Sequence, residues 1–562
     1  MRGNYFRTGM LLVLAGTFAA GASVRAWDAS SAVADAAMAR DRAAVRTLLQ
    51  QGGDVSAAQG DGMTALHWAA TYGDAELAEM LLYAGANTRA TTRLGAFTPL
   101  HVASRAGAAA VVTRLVGAAA DVDARTSTGA TPLMLAASSG SVEAVTALLD
   151  AKADPNATEA AHEQTALMFA AARDRHEVVR VLLARGATAN AVSKFVDLAA
   201  LSADGEGTGR PAQTPAAAAA AVQDIPGVTR GFRYNELIGA QGGLSALHFA
   251  ARQGGLSSVE ALVEGGADVN QASPGDRTSP LVIATINGHF DIAMYLLDRG
   301  ADPNLANQAG VTPLYGAINV QWAPIAAYPQ PRAHLQQRHT YVDLVQALLA
   351  KGADPDARLS RKVWFSSYNF DQSNVDEIGA TPFWRAAYAS DVAMMKVLVA
   401  AGADPNIPTL ATPIRRGPPV DGDDGGPDVA SAPPIPPGGP SVTPLQAAAG
   451  VGYGKGFAGN SHHVAPGGMM AAVQYLIEEL GADVNAADHE GNTAIHHAAA
   501  RGDNEMILYL VSKGADPTVV NRRGQTTVDM ANGPVQRVEP FPATMALLEK
   551  LGAKNNHRCV SC

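Results

Sequence analysis

Cys559 and Cys562 form a CVSC motif, and the 562-residue sequence holds no other cysteine. A CxxC pair is typical of a redox dithiol or of a haem attachment site. Haem attachment requires a histidine directly after the second cysteine, and a redox dithiol usually precedes a helix whose N-terminus lowers the thiol pKa. Because neither feature follows Cys562, we expect a tail without a chemical role, or a short loop closed by a disulfide. A redox- or haem-linked role is the alternative interpretation.

Two pairs of adjacent histidines, at residues 462–463 and 496–497, are weak candidates for a metal site. No carboxylate or thiolate stands near them at ligand spacing. The DGDDGG stretch at residues 421–426 resembles a calcium loop, but Gly425 replaces the third oxygen ligand and Ala432 replaces the closing glutamate. We therefore expect no bound metal and no cofactor.

Catalytic motifs are missing from the sequence. It contains no GxSxG, HExxH or P-loop, and no GxGxxG followed by a strand and a helix. A catalytic cysteine–histidine pair is not expected either, because both cysteines lie in the last four residues. The sequence predicts a protein that is not an enzyme.

Aromatic side chains are concentrated between residues 322 and 384, which hold three of the five tryptophans. Exposed aromatic residues on loops often anchor a partner protein. The same rings could instead pin long loops onto the helices beneath them, and the sequence leaves both alternatives open. The candidate partner-binding residues are Trp322, Tyr328, Trp364, Phe365, Tyr368 and Phe370.

A repeat of 33 or 34 residues positions all of these side chains. Each copy opens with Thr or Ser, a helix-capping residue, and continues as an apolar helix, a short break, a second helix and a turn. Six of the ten spacings between successive openings are 33 or 34 residues, and the other four are longer because of insertions. The openings are Thr64, Thr98, Thr131, Thr165, Ser245, Ser279, Thr312, Thr381, Thr443, Thr493 and Thr526.

The repeat resembles the ankyrin repeat. The resemblance rests on TALH (64–67), TPLH (98–101), SALH (245–248) and TAIH (493–496), with GADVN (266–270, 481–485) and GADPN (300–304, 402–406). It implies an all-α solenoid of about twelve helix–turn–helix units and a non-catalytic scaffold that binds a protein or peptide partner. It also implies that the motif residues tie each first helix to the adjoining turn. These residues are Thr64, His67, Thr98, His101, Ser245, His248, Thr493 and His496.

Five insertions interrupt the repeat, and we expect them to leave from two different edges of one long domain. Three lie in the turns between repeats, at residues 194–243, 358–377 and 412–441, so they should line the edge that carries the finger-like turns. We expect the first half of 194–243 to be a flexible tether and 412–441 to be a disordered or polyproline-like loop. The other two, 321–340 and 451–468, separate the two helices of a repeat and should lie at the opposite edge.

The predicted domains follow from this division. Repeats occupy 27–194, 244–411 and 442–555, the last ending in a C-terminal cap, and a tail follows at 556–562. The segments that separate or interrupt them are 195–243, 321–340, 358–377 and 412–441.

The net charge bears on the partner of the protein, and the N-terminal residues bear on its location. A net charge of −10 without a Lys/Arg run argues against a nucleic-acid partner. Residues 1–26 have arginines, then an apolar run and small residues, which is the pattern of a secretory signal peptide. We expect export to the periplasm or medium, no membrane span after cleavage, and a monomer.

Overall fold

The structure is a computed structural model that describes residues 31–198, 200, 236, 238–322, 332–363, 375, 377–412, 430–452, 463–533 and 539–558. Contacts between residues group the chain into two compact units, Met1–Ser127 and Thr128–Cys562, where the sequence analysis expected one long domain. The boundary falls between two repeats, just before the opening residue Thr131.

The first unit contains three helix pairs among its described residues. Its helices are α1 (Ala32–Met38), α2 (Arg42–Gln50), α3 (Ala65–Tyr72), α4 (Ala75–Tyr83), α5 (Pro99–Arg105) and α6 (Ala109–Gly117).

The second unit contains nine helix pairs and a two-stranded ribbon among its described residues. Its first helices and strands are α7 (Pro132–Ser139), α8 (Val142–Asp150), α9 (Ala166–Ala171), α10 (His176–Ala184), β1 (Phe195–Asp197), β2 (Ala240–Gly242), α11 (Ala246–Gln253), α12 (Leu256–Glu264), α13 (Pro280–Ile286), α14 (Phe290–Asp298), α15 (Pro313–Trp322) and α16 (Tyr341–Ala350). A 3₁₀ turn, Ala333–Gln336, precedes α16. The remaining helices are α17 (Pro382–Tyr388), α18 (Val392–Ala400), α19 (Pro444–Ala448), α20 (Gly468–Gln474) with a π-helical turn at Tyr475–Glu479, α21 (Ala494–Ala500), α22 (Asn504–Ser512), α23 (Thr527–Ala531) and α24 (Pro542–Lys550).

Local capping sets where these helices begin. In α5 the Thr98 hydroxyl accepts a hydrogen bond from the backbone N–H of His101 at 3.3 Å, and Pro99 fills the first turn, where no N–H is needed. Several second helices begin after an aspartate instead. The Asp74 carboxylate accepts from the N–H of Leu77 at 2.9 Å, for example. The twelve helix pairs in the described residues confirm the all-α prediction of about twelve units.

Small residues let neighbouring repeats approach closely. Within the second unit α11 packs on α13, α13 on α15 and α15 on α17, so each first helix lies between two others. Alanines such as Ala251, Ala284 and Ala317 are fully buried at these contacts. Stacking therefore buries the apolar face of every internal repeat without one large core.

Side-chain amides join successive finger turns of the second unit. Asn270 Oδ1 accepts from the N–H of Asp302 at 2.8 Å, and its Nδ2 donates to the carbonyl of Gly300 at 3.1 Å. Asn304 repeats both bonds one unit later, with Asp354 at 2.7 Å and Gly352 at 2.8 Å. We call this row of bonds the asparagine ladder. It satisfies backbone groups that a stack of open turns would leave unpaired.

A short antiparallel ribbon is the one β element in the described residues, and the sequence analysis did not predict it. Strands β1 and β2 pair through Phe195–Gly242, Val196–Gln241 and Asp197–Ala240, so both ends of the insertion at 194–243 are held together. The flexible tether expected from Lys194 onward therefore begins with a strand. Three residues are too few to show alternation of polar and apolar side chains, and the pairing strand lies more than forty residues away.

Candidate binding surfaces

The motif histidines connect each first helix to a finger turn. In His248, Nδ1 accepts from the backbone N–H of Ser245 at 3.2 Å, and Nε2 lies 2.9 Å from the carbonyl oxygen of Thr278. These partners require the neutral ring with its proton on Nε2. Burial lowers the pKa of His248 to about 4, against the opposing effect of the Thr278 carbonyl. His67 makes the same contacts with Thr64 and with the carbonyl of Phe97.

His101 makes both of these contacts, and His496 makes the first of them. His101 accepts from the N–H of Thr98 at 3.2 Å and lies 3.0 Å from the carbonyl of Ala124. In His496, Nδ1 accepts from the N–H of Thr493 at 3.2 Å. All four rings are buried, two in each unit, so they stabilise the repeats from within.

Other residue types at the histidine position make parts of the same connection. Gln446 accepts from the N–H of Thr443 at 2.7 Å, and its amide donates to the carbonyl of Asn492 at 2.8 Å. Trp384 makes only the outward bond, from its indole N–H to the carbonyl of Val442 at 2.9 Å. Gln446 and Trp384 therefore connect the first helix to the adjoining turn, as the histidines do.

The aromatic insertion at 358–377 has a closed, buried base on the finger side of the second unit. Leu359 bonds Ala380 and Gly379 through its backbone N–H and C=O, at 3.0 and 2.8 Å. Val363 and Val375 are buried in one cluster with Leu359. Trp364, Phe365, Tyr368 and Phe370 lie between these two valines, outside the described residues. Their role in partner binding stays a prediction.

The other finger-side insertions end next to neighbouring fingers. Arg361 donates from Nη1 to the carbonyl of Glu236 at 3.0 Å, so the insertions at 194–243 and 358–377 meet. Ser431 donates its backbone N–H to the carbonyl of Val520 at 3.0 Å. The second part of 412–441 is therefore fixed to a finger, which differs from the disordered or polyproline-like loop expected there. Its backbone groups find partners that the sequence does not reveal.

Exposed apolar side chains mark the ribbon on this edge. All three residues of β1 are exposed, with Phe195 at 49% and Val196 at 40% of their full accessible surface. Among the described residues β1 pairs with β2 alone. The exposed ring and methyl groups of this strand offer apolar contact to a partner.

Trp322 lies at the opposite edge, which we call the helix-turn edge, and it ends α15 instead of starting the insertion. Its indole N–H donates to the Asp391 carboxylate at 2.9 Å, and its ring meets that of Tyr341 edge-on with centroids 6.5 Å apart. These contacts hold Trp322 against the scaffold, and partner binding by Trp322 stays a prediction. Tyr328 lies outside the described residues.

Both insertions at the helix-turn edge fold back onto the preceding repeat. Asp291, after the turn of one repeat, accepts from the backbone N–H groups of Arg338 at 3.2 Å and His339 at 3.1 Å, and lies 2.7 Å from His339 Nδ1. The Ala465 N–H donates to the carbonyl of Ala389 at 2.9 Å, at the corresponding turn of a later repeat. The segments before α16 and α20 are therefore parts of the stack.

The remaining candidate sites gain no support from the structure. Within the described residues, no group of three His, Cys, Asp or Glu side chains is arranged to hold a metal. Cys559, Cys562 and the predicted signal peptide lie outside them. None of the described helices has the length and apolarity needed to cross a bilayer.

Family models match most of the repeat regions. The model "Ankyrin repeats (3 copies)" matches residues 13–93, 33–126, 100–193 and 233–325. Two further models match residues 461–511, as "Ankyrin repeats (many copies)", and 378–410, as "Ankyrin repeat". The chain belongs to the ankyrin repeat family. Its stacked helix pairs are ankyrin repeats, and each of its units is built from them.

Curated relatives share only a few repeats with this ankyrin protein. Protein phosphatase 1 regulatory subunit 27 of Mus musculus is 46% identical over 71 residues, which are 13% of this chain and 46% of the relative. The Homo sapiens protein of the same name is 45% identical over 71 residues, which are again 13% of this chain and 46% of the relative. Ankyrin repeat and SAM domain-containing protein 6 of Danio rerio is 32% identical over 28% of this chain and 21% of its own length. The chain thus spans less than half of each relative.

Proposed function

We propose that this ankyrin protein is an exported, non-catalytic scaffold that binds a protein or peptide through the finger edge of its second unit. Ankyrin repeats imply protein–protein interaction, and the phosphatase relatives are named as regulatory subunits. The similarity covers repeats alone, so it supports a binding role and gives no partner.

The closed base of the aromatic insertion carries the proposal. Leu359, Val363 and Val375 hold the insertion to the core, so its tip does not need its own rings as anchors. We therefore assign partner binding to Trp364, Phe365, Tyr368 and Phe370, which lie between the two valines in the sequence. Rings of this type are the residues most often found to dominate binding energy.

A double substitution tests whether the aromatic rings bind a partner or fix the insertion to the helices. The partner is first isolated from an envelope extract with the intact protein, and its affinity is then measured by titration. Changing Trp364 and Tyr368 to Ala should weaken binding by about 2 kcal/mol or more and leave the melting temperature nearly unchanged. A variant that melts several degrees lower and binds as before would show that the rings are structural pins. Leu508→Ala, which removes a half-exposed side chain from α22, is the matched control and should change neither quantity.

Export rests on the sequence pattern of residues 1–26. The mature protein recovered from an envelope fraction should begin at Trp27, after loss of the signal peptide. Mass spectrometry of the intact chain measures this directly, and an N-terminus at Met1 would contradict export with cleavage.

A further inference from the structure

The second half of the insertion at 412–441 lies along the finger edge as an irregular segment. Residues 431–437 read SAPPIPP, and proline has no backbone N–H and a fixed φ. Residues 430–439 form neither a helix nor a strand. A backbone of this composition favours an extended form whose carbonyl oxygens are open to other partners. We call residues 430–435 the proline segment.

A neighbouring finger fixes the chain just after the proline segment. The N–H of Gly438 donates to the carbonyl of Ala411, and the N–H of Ala411 donates to the carbonyl of Gly439, both at 2.8 Å. Ser441 is 3% exposed and donates its N–H to the carbonyl of Thr409 at 2.9 Å. None of these bonds involves the proline segment, so the base of the insertion is held separately.

The proline segment itself contacts the finger turn that precedes α23. The N–H of Ser431 donates to the carbonyl of Val520, and the Ser431 hydroxyl accepts from the N–H of Val520, both at 3.0 Å. The Arg522 guanidinium donates through Nη2 to the carbonyls of Ala432, at 3.4 Å, and Pro433. Three consecutive residues of the segment are thus bonded to two residues of the finger.

Recognition at this contact depends on the backbone of the segment and on one hydroxyl. Ile435, its largest side chain, folds back on its own chain, because a Cβ on Gly439 would lie 2.7 Å from Ile435 Cγ2. Ser431, Pro433 and Pro434 are exposed. The finger therefore recognises an extended Ser-x-Pro backbone, in which the proline brings no N–H that needs a partner.

Arg522 is positioned for this contact by the neighbouring finger. Its Nε donates to the carbonyl of His489 at 2.8 Å, which fixes the guanidinium between two finger turns. His489 is held in turn, since its Nδ1 lies 2.6 Å from the Ser441 hydroxyl. A guanidinium positioned in advance loses little freedom on binding, and its directed N–H donors suit adjacent carbonyl oxygens. The scaffold therefore supplies a ready donor for a peptide backbone.

The contact has the character of a bound peptide instead of a core contact. Residues 430–435 include no buried residue, whereas Leu359, Val363 and Val375 close the insertion at 358–377 by burial. Exposed hydrogen bonds add little net stability, because water competes for each group. The proline segment therefore occupies the finger without contributing to the core.

We propose that the finger turn around Val520 and Arg522 is a binding site for an extended Ser-x-Pro peptide of a protein partner. The chain's own residues 431–433 occupy this site in the absence of the partner. The inference rests on the binding role proposed for the finger edge, and it adds the class of peptide and an internal competitor. Because the competitor is tethered, its effective concentration is high, and a partner peptide binds only by displacing it.

The test compares the full chain with a shortened chain in which six glycines replace residues 413–434. Ala411 and Gly438 are hydrogen-bonded, so the cut ends lie close enough for this linker. The probe is a fluorescein-labelled peptide with the sequence of residues 430–437, and binding is measured by fluorescence anisotropy. We expect saturable binding to the shortened chain and binding to the full chain that is weaker by about tenfold or more. Equal affinities, or no saturable binding to the shortened chain, would overturn the proposal.

Variants of the shortened chain locate the site. Arg522→Gln should weaken peptide binding by about tenfold or more, because the carbonyls lose a charged donor. Arg523→Gln is the matched control: Arg523 lies on the same finger, is mostly exposed and pairs with Glu490 at 2.9 Å, so its affinity should match the parent within about twofold. An Arg522→Gln chain that binds as well as its parent would refute the assignment.

The serine is tested in the full chain as well, which covers the case in which the shortened chain does not fold. Ser431→Ala removes the acceptor for the Val520 N–H and weakens the internal competitor. The full chain with this change should therefore bind the unaltered peptide more tightly by about threefold or more. An affinity equal to that of the wild type would contradict the internal competition.

These measurements use no natural partner and no residue of the aromatic insertion. A negative result here leaves the double substitution of Trp364 and Tyr368 unaffected, so the two proposals can fail separately.

Discussion

The two edges of the second unit both carry long insertions, and one insertion at each edge shows a different way of holding such a segment. At the finger edge, the insertion at 358–377 is closed by apolar burial of Leu359, Val363 and Val375. At the helix-turn edge, the insertion at 321–340 is held by hydrogen bonds to one carboxylate, that of Asp291. Apolar anchoring involves no titrating group, whereas anchoring through a carboxylate depends on its ionisation.

The charge of the insertions follows the same division. The three finger-side insertions contain acidic and basic residues, and the two helix-turn insertions contain only basic ones. A mixed surface with exposed apolar side chains suits a protein partner. One repeat scaffold can therefore present two unlike surfaces, since each insertion lies at an edge set by its place within the repeat.

The largest effect should come from a pair of leucines, one in an insertion at each edge. Leu359 is 2% exposed at the finger edge and Leu335 is 63% exposed at the helix-turn edge. Leu359→Ala should lower the free energy of unfolding by about 2–5 kcal/mol because it leaves a cavity. Leu335→Ala should change it by less than about 0.5 kcal/mol. Urea unfolding measures both, and equal effects would remove the contrast between the edges.

Acid should loosen the finger connection at His248 first. Its folded pKa of about 4 lies below the unfolded value of 6.5, so this stabilisation is complete above pH 6.5 and is lost as the pH falls towards 4. Replacing His248 with Gln, which makes both connections at position 446, should abolish a loss on the order of 3 kcal/mol over that range. Unfolding free energies at several pH values test this, and parallel curves for the two proteins would rule it out.

The helix-turn edge should respond only at lower pH. Burial raises the pKa of Asp291, but hydrogen bonds from His339 and Arg338 outweigh it, so the folded pKa lies below the ordinary value of 3.8. The stabilisation is therefore present above about pH 4 and is lost as the pH falls through the folded pKa. Asp291→Ala should cost about 1–3 kcal/mol at neutral pH. Limited proteolysis should then cleave near residue 338 faster in the variant, and an unchanged cleavage rate would contradict this anchoring.

The smallest effect should be a gain in stability at the finger edge. Asp356 occupies an asparagine position of the ladder, where its Oδ1 accepts from the N–H of Asp404 at 3.0 Å. Burial raises the pKa of Asp356, and the charges of Asp354 and Asp404 raise it further. At neutral pH, where Asp356 is ionised, this environment therefore lowers the stability of the folded state.

Asp356→Asn removes this penalty and supplies a donor for the carbonyl of Gly402. The variant should be more stable by about 0.5–1 kcal/mol at neutral pH, with a smaller gain at pH 3, where the aspartate is protonated. The reverse change, Asn304→Asp, is the matched control and should destabilise by a similar amount. Thermal melting of both variants measures the effect, and a loss of stability in Asp356→Asn would show that the ladder argument is wrong.

The sequence by itself determined the helix pairs, because each depends on local signals. A capping residue such as Thr98, a proline in the first turn and a glycine after the helix act within a few residues. The 33-residue spacing then placed each insertion either in a finger turn or between two helices. The identity of the edge could therefore be predicted without coordinates.

Only the tertiary structure decided which insertion residues are anchors and which polar atoms lack partners. Val363 and Val375 share one cluster although eleven residues separate them, and the ribbon joins strands more than forty residues apart. Arg385 has an ordinary place in a repeat sequence, but in the structure its Nε and Nη2 bond residues of α15 and its Nη1 is buried without a hydrogen-bond partner. Periodicity records which face of a helix is buried, but the pairing of individual polar atoms depends on distances between segments that are far apart in the chain.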